Sequence, residues 1–281
     1  MRKFSLYLDG VETPLNGEDG IWFTDPTGLG ATLNPAMVDL RNGFFRSAAE
    51  DIIPQMPIVG TMTFPNWTLG QISLSAYDYY NLFLRILLAA KKIELGYTPS
   101  STLTPVEYRI RVKLNYITKT EMTGNWLKCP ISFAPLTPWY KETPIDYEFL
   151  GYGGGLIAHL DRVVGDVPAT IRLTITGTGD IGNVEIILIP TGAASPSQYV
   201  ALEGELLPNG GTIIYSSAYD DAFITADDGS EITDLVNIVD VTENPWIRID
   251  SEAKYDLILQ AAGLRADDTY ELKLYQYYRS V

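Results

Sequence analysis

A single cysteine, Cys129, and a single histidine, His159, serve the whole of a 281-residue chain. One cysteine excludes an intrachain disulfide, and one cysteine with one histidine cannot supply a zinc site of the usual ligand count. Folding in a reducing cytoplasm is the expectation, with no cofactor and no structural metal. No stretch approaches the roughly 18 uninterrupted apolar residues of a membrane-crossing helix. The opening MRKFSLYLDG meets polar residues and a glycine before any apolar run of signal-peptide length. Neither secretion nor membrane insertion is expected. Positive charge is scarce as well: 20 Lys and Arg stand against 35 Asp and Glu, a net charge of −15. Residues 1–140 hold 12 of each sign and residues 141–281 hold 8 against 23, so all of the excess acid is C-terminal. Without a basic footprint to neutralise phosphates, specific nucleic-acid binding is not expected. The asymmetry itself argues for two domains with different surroundings.

The length agrees with two domains, and 18 Tyr and 24 Gly lean the composition toward β-structure. Phe4–Asp9 alternates like a half-buried strand and ends at Asp9-Gly10, a hairpin signal. Asp25-Pro26-Thr27-Gly28 reads as a turn, after which a long polar-apolar stretch runs from Leu29 to Phe45. One helix is expected, over residues 75–92. Ser75 caps it, Asp78 follows three residues on, and Tyr79, Leu82, Phe83, Ile86 and Ala90 recur at helical spacing. Lys91 and Lys92 are expected to suit the dipole at its C-terminal end. Tyr108–Tyr116 then alternates basic and apolar side chains, and Trp126–Phe133 follows a Thr-Gly-Asn turn, which predicts a long β-hairpin with one charged face. Pro135, Pro138 and Pro144 mark the domain boundary. Beyond it, short strands recur at sandwich-like spacing over Thr170–Thr176, Val184–Ile189, Val200–Leu206, Thr212–Ser216, Ala222–Ala226, Trp246–Asp250, Tyr255–Gln260 and Tyr270–Tyr278. Turns between them include Pro208-Asn209-Gly210-Gly211 and Asp227-Asp228-Gly229.

Little in this pattern carries chemistry. His159 would have to serve as the base of any Ser-His or Cys-His nucleophile, yet no G-x-S-x-G elbow presents one, and an inter-strand or half-buried histidine is the expectation. Gly153–Gly155 and Gly177-Thr178-Gly179 lack the Lys-Ser/Thr ending of a phosphate loop and read as linker and turn. Asp220, Asp221, Asp227 and Asp228 miss the spacing of a calcium loop. A glycan hydrolase would be built on a carboxylate pair, and 35 acids supply many such pairs. Trp126, Trp139, Tyr140 and Trp246 offer rings for sugar stacking, although such aromatics more often serve a core or a protein interface.

Three stretches, in this order and spacing, resemble the distal tail proteins of long-tailed, siphovirus-type phages and related prophages. They are Gly20–Gly30 with its Asp-Pro-Thr-Gly-Leu-Gly string, the 75–92 helix with the hairpin ending at Pro135–Tyr140, and Asp240–Ile249 leading to a final strand. The resemblance spans most of the chain. It implies a mainly β protein: a ring-forming N-terminal β-domain over residues 1–140, with one α-helix and a long hairpin, and a C-terminal galectin-like β-sandwich over 141–269. In some relatives the last strand returns to the N-terminal domain, which makes 270–281 a candidate to do so. The implied role is structural and non-enzymatic, at the virion tail tip or baseplate, after synthesis in the host cytoplasm. It is a ring, expected as a homo-hexamer, that joins the tail tube protein to the tip protein and carries or neighbours receptor-binding proteins. Sugar chemistry does not come with it, because the galectin His/Arg strand and Trp-Gly-x-Glu strand are missing. A carbohydrate-binding module recognising cell-wall glycans is the alternative. The expected oligomer or partner surface is the basic hairpin with the Leu29–Phe45 stretch: Leu29, Phe44, Phe45, Arg109, Arg111, Lys113 and Trp126.

Overall fold

The computed structural model describes residues 3–16, 20–29, 37–40, 44–47, 56–69, 72–99, 105–120, 122–123, 125–152, 155–207, 210–219, 221–235, 239–240, 245–251, 253–265 and 267–278. Most of the Leu29–Phe45 stretch, residues 153–154, Pro208, Asn209, Asp220 and residues 241–244 lie outside them. The chain divides into two compact units, residues 1–142 with 278–281, and residues 143–277.

The first unit begins with β1 (Lys3–Leu8) and β2 (Val11–Leu15). Asp9 and Gly10 both take positive φ, 51° and 85°, as a two-residue hairpin loop of the primed type requires. After β3 (Trp22–Thr27), β4 (Met37–Leu40) and β5 (Phe44–Ser47) pair with each other. β6 (Ile58–Pro65) and the short pair β7 (Trp67–Leu69) and β8 (Ile72–Leu74) lead to α1 (Ala76–Ala89). β9 (Ile93–Thr98), β10 (Tyr108–Ile117), β11 (Met122–Thr123), β12 (Trp126–Pro135) and β13 (Trp139–Lys141) complete the unit. The hairpin expected from the sequence is the β10–β12 pair, with a bulge between Leu114 and Tyr116. Strands run in the order β2-β1-β9-β10-β12-β6-β3. A parallel bridge from Leu15 to Ile21 then brings the end of β2 to the start of β3, so the sheet curls back to its first strand. Phe23, Phe64, Phe133, Leu95, Ile110 and Trp139 fill the interior.

Helix α1 is capped as expected: Ser75 Oγ accepts from the Asp78 amide at 3.2 Å and donates to its carboxylate at 2.6 Å. The buried face differs from the expected one. Phe64 of β6 packs against Tyr79, Tyr80 and Phe83, and this rotates Ala76, Tyr80, Phe83 and Leu87 into the core. Leu82 and Ile86 are left 46% and 49% exposed. The helix also stops at Ala89, before the two lysines. Their amides instead donate to one Asp9 carboxylate oxygen, at 3.0 and 2.8 Å, tying the helix exit to the first hairpin.

The second unit is two antiparallel six-stranded layers. One joins β14 (Ile145–Tyr147), β25 (Thr269–Tyr278), β17 (Val167–Gly177), β20 (Gly211–Ser217), β21 (Ala222–Asp227) and β22 (Ile232–Asp234). The other runs β15 (Leu150–Tyr152), β16 (Gly155–Leu160), β24 (Tyr255–Ala262), β18 (Ile181–Pro190), β19 (Gln198–Leu207), β23 (Val239–Asp240). Ile171, Leu173, Ile186, Leu188, Ile213, Leu257, Leu272 and Leu274 meet between them. The last strand pairs with β17 from Thr269 to Tyr277, and only Tyr278 groups with the first unit, where its ring meets Tyr108 edge to face. Residues 246–250, expected as a strand, form only an isolated bridge between Ile249 and Ala169. The backbone of Ile247 and Arg248 is held by side chains instead: Gln198 both donates to the Arg248 carbonyl and accepts from its amide, and the Tyr215 hydroxyl accepts from Ile247 N at 2.7 Å. A ladder is replaced by a side-chain clamp.

Candidate interaction surfaces

Strand alternation puts Ile110 and Val112 of β10 in the core and Arg109, Arg111 and Lys113 on the other face. Acidic and tyrosyl groups meet Arg109 there. Arg109 lies over the Tyr7 ring, 3.6 Å from its centroid, and pairs with Glu107 at 2.8 Å and Glu142 at 2.5 Å, leaving its side chain 12% exposed. Tyr7 donates its hydroxyl to Glu107, and burial, with that carboxylate second, pushes the Tyr7 pKa up to about 12. Glu94, buried on β9, accepts from Tyr140 and pairs with Lys92 at 2.8 Å. Arg111 has its backbone held by Thr137 Oγ1 and by Leu136 N. Among the three basic residues of the strand, Lys113 is the exposed one.

Of the remaining residues expected at a contact surface, Leu29 is half-buried against the first core and Trp126 is 43% exposed. Phe44 and Phe45 sit in β5, and their side chains lie outside the description. Sequence reasoning missed Trp22. It pairs with Thr63, which pairs with Lys128 two residues from Trp126, so both tryptophans stand on the outer face of β3-β6-β12. It also missed the outward ridge of Leu82 and Ile86, which periodicity assigns to the core. The signal that could have found the ridge is width: apolar residues circle α1 more broadly than one contact face needs.

In the second unit His159 faces Asp256 across β16 and β24, Nδ1 to Oδ1 2.7 Å, on the exposed face. It is an inter-strand pair. Trp139 and Tyr140 are not available for stacking, one being fully buried and the other bound to Glu94. Trp246 leans on Tyr215 at the edge of the sandwich core. A cleft of about 380 Å³ is lined by Asp146, Tyr147, Glu148, Phe149, Tyr270 and Glu271 with Leu272. Among the described residues no three His, Cys, Asp or Glu side chains gather as a metal site, and no helix is long and apolar enough to cross a membrane.

Residues 6–136 match the family model described as distal tail protein, N-terminal domain. Structures of the phage p2 baseplate in its activated conformation, one with Sr and one with Ca, each hold a similar chain. In both, the TM-score is 0.61 at 16% identity, covering 100% of each chain. The SPP1 Dit (gp 19.1) protein, described as a paradigm of hub adsorption apparatus in Gram-positive infecting phages, gives a TM-score of 0.51 at 10% identity, over 97% of this chain and 98% of that one. No curated protein matches the sequence. At these identities the solved structures speak for the fold, a mainly β architecture with a sandwich, while the family model speaks for the first unit. Over residues 6–136 the chain is thus similar to the N-terminal domain of distal tail proteins.

Proposed function

We propose that this chain is a structural hub of a phage tail tip, assembling through its first unit as a ring of six copies that joins the tail tube to the tip protein. The second unit serves receptor-binding partners. The observation that carries this reading is the family match over residues 6–136. Likeness to baseplate chains over the whole length supports it at the level of fold. Physical chemistry agrees. Residues 1–140 balance 12 positive against 12 negative side chains, so copies approach one another without net repulsion. Trp22, Trp126, Leu82 and Ile86 are among the exposed apolar side chains of the first unit and are the ones we assign to such contacts, with Lys113 as the exposed cation of β10. The role asks for surfaces and not for a reacting group.

Native mass spectrometry or light scattering on the purified full chain tests the ring. The expected result is a six-copy species, formed alone or on adding the tube or tip protein. A chain that stays monomeric at high micromolar concentration with and without those partners overturns the reading.

Glycan recognition by the second unit rests on the cleft, where the Tyr147, Phe149 and Tyr270 rings neighbour three carboxylates. Host cell-wall polysaccharide that binds the full chain, and not a Tyr270→Ala variant, would favour it.

A further inference from the structure

The strands β18 and β24 contain apolar runs that do not alternate, Ile186-Ile-Leu-Ile189 and Leu257-Ile-Leu259. Such runs put apolar side chains on both faces of a sheet, as in sheets covered on both sides. Ile186, Leu188, Leu257 and Leu259 enter the sandwich core. Their neighbours do not, and the register aligns them. Leu150 stands opposite Ile157, Ile157 opposite Ile258, Ile258 opposite Ile187, and Ile187 opposite Tyr199. Residues directly paired across antiparallel strands share a face, so these five form one unbroken row over β15, β16, β24, β18 and β19. Four strand spacings of ~4.8 Å make it roughly 19 Å long. Its ends are open, with Leu150 55% and Tyr199 47% exposed, while its neighbours hide Ile258 at the centre. Ile189 adds to it on one side, next to Asp256.

We propose that this outer face docks a protein partner whose contacting strip is apolar and flanked by basic residues. An apolar row of this length on a solvated face marks an interaction site, and the surrounding charge selects the occupant. Glu185 lies two residues from Ile187 on one side of the row, and on the other Asp256, two from Ile258, is hydrogen-bonded to His159, two from Ile157. Residues 143–277 as a whole hold 22 Asp and Glu against 6 Lys and Arg. A second copy would bring these carboxylates against their own counterparts, and an anionic membrane surface would be repelled in the same way. A glycan needs flat aromatic rings, and the row has one tyrosine among four aliphatic side chains. The inference goes beyond the hub reading, since the row would serve equally in a chain that forms no ring.

The test uses the full chain and two synthetic probes, a fluorescent peptide alternating Ile with Lys and one alternating Ile with Glu, read by anisotropy. The Ile/Lys peptide is expected to bind at least about tenfold more tightly, more so at low salt. Ile157→Ser with Ile187→Ser should weaken it by about tenfold or more. Leu150→Ser with Tyr199→Ser, at the exposed ends of the row, gives a second variant should the first disturb folding. Val11→Ser, on the first unit, should change nothing. Equal affinity for the two peptides, no binding, or binding that neither variant pair weakens overturns the proposal. Self-association removed by the same substitutions also overturns it, assigning the row to a second copy.

Discussion

The guanidinium of Arg109 lies 3.6 Å from the centroid of the Tyr7 ring, on a face of the first sheet where Glu107 and Glu142 complete its coordination. The flat cation is thus held by a ring beneath it and carboxylates beside it, an arrangement an ammonium cannot reproduce. Arg109→Ala should lower the unfolding free energy of the first unit by about 1–3 kcal/mol, and Arg109→Lys should recover less than half of that. Urea denaturation followed by far-UV circular dichroism measures both. A loss under about 0.5 kcal/mol for the alanine variant would show the network to be incidental.

Tyr215 offers a cleaner case because its hydroxyl is saturated in the interior. It donates to Pro245 O at 2.8 Å and accepts from Ile247 N at 2.7 Å, and burial drives its pKa far upward. Tyr215→Phe keeps the ring and strands one buried amide, Ile247 N, and one part-buried carbonyl, Pro245 O. The expected cost is about 2–4 kcal/mol, with earlier hydrogen exchange at the Ile247 amide. Unchanged protection of that amide would contradict the account.

Cys129 should behave as an inert core residue. It is fully buried in β12, and burial pushes its thiol up to about 11. The folded pKa is raised, so the contribution to stability is complete below the unfolded thiol value of about 9 and is lost as pH climbs toward 11. Native protein at pH 8 should resist alkylation by iodoacetamide until denaturant is added, and Cys129→Ala should flatten part of the alkaline loss of stability. Rapid labelling of the folded chain would be incompatible with this packing.

Leu82→Ser combined with Ile86→Ser probes the exposed ridge of α1. Neither side chain belongs to the core, so the isolated chain should change stability by less than about 1 kcal/mol. Assembly should suffer instead, visible as a shift toward monomer in sedimentation velocity. If the double variant assembles like the parent, ring contacts lie elsewhere on the first unit.

Local rules carried much of the fold from the sequence. Asp9-Gly10 meets its hairpin because two adjacent positive φ angles are a property of two residues. Ser75 and Asp78 cap α1 for the same reason. Distant partners decided the rest. Which face of α1 turns inward depends on Phe64, and the side-chain clamp at residues 246–250 depends on Gln198 and Tyr215. The basic face of β10 was legible from alternation. That Tyr7 and Glu142 would come to meet Arg109, beside the adjacent Glu107, was not, since those two lie on other segments of the chain. The apolar row of the second unit was half visible, as runs that fail to alternate, but only register turns such runs into a line.

The bridge from Leu15 to Ile21 has a consequence for how such a unit diversifies. With β2 and β3 bridged end to start, the backbone at Leu15 and Ile21 is already paired and offers a partner strand no free edge at that point. Recognition then falls to outward side chains, which can be exchanged one at a time without disturbing a ladder hydrogen bond. A lineage carrying this domain is free to retune its neighbours by point substitution while the scaffold beneath stays the same.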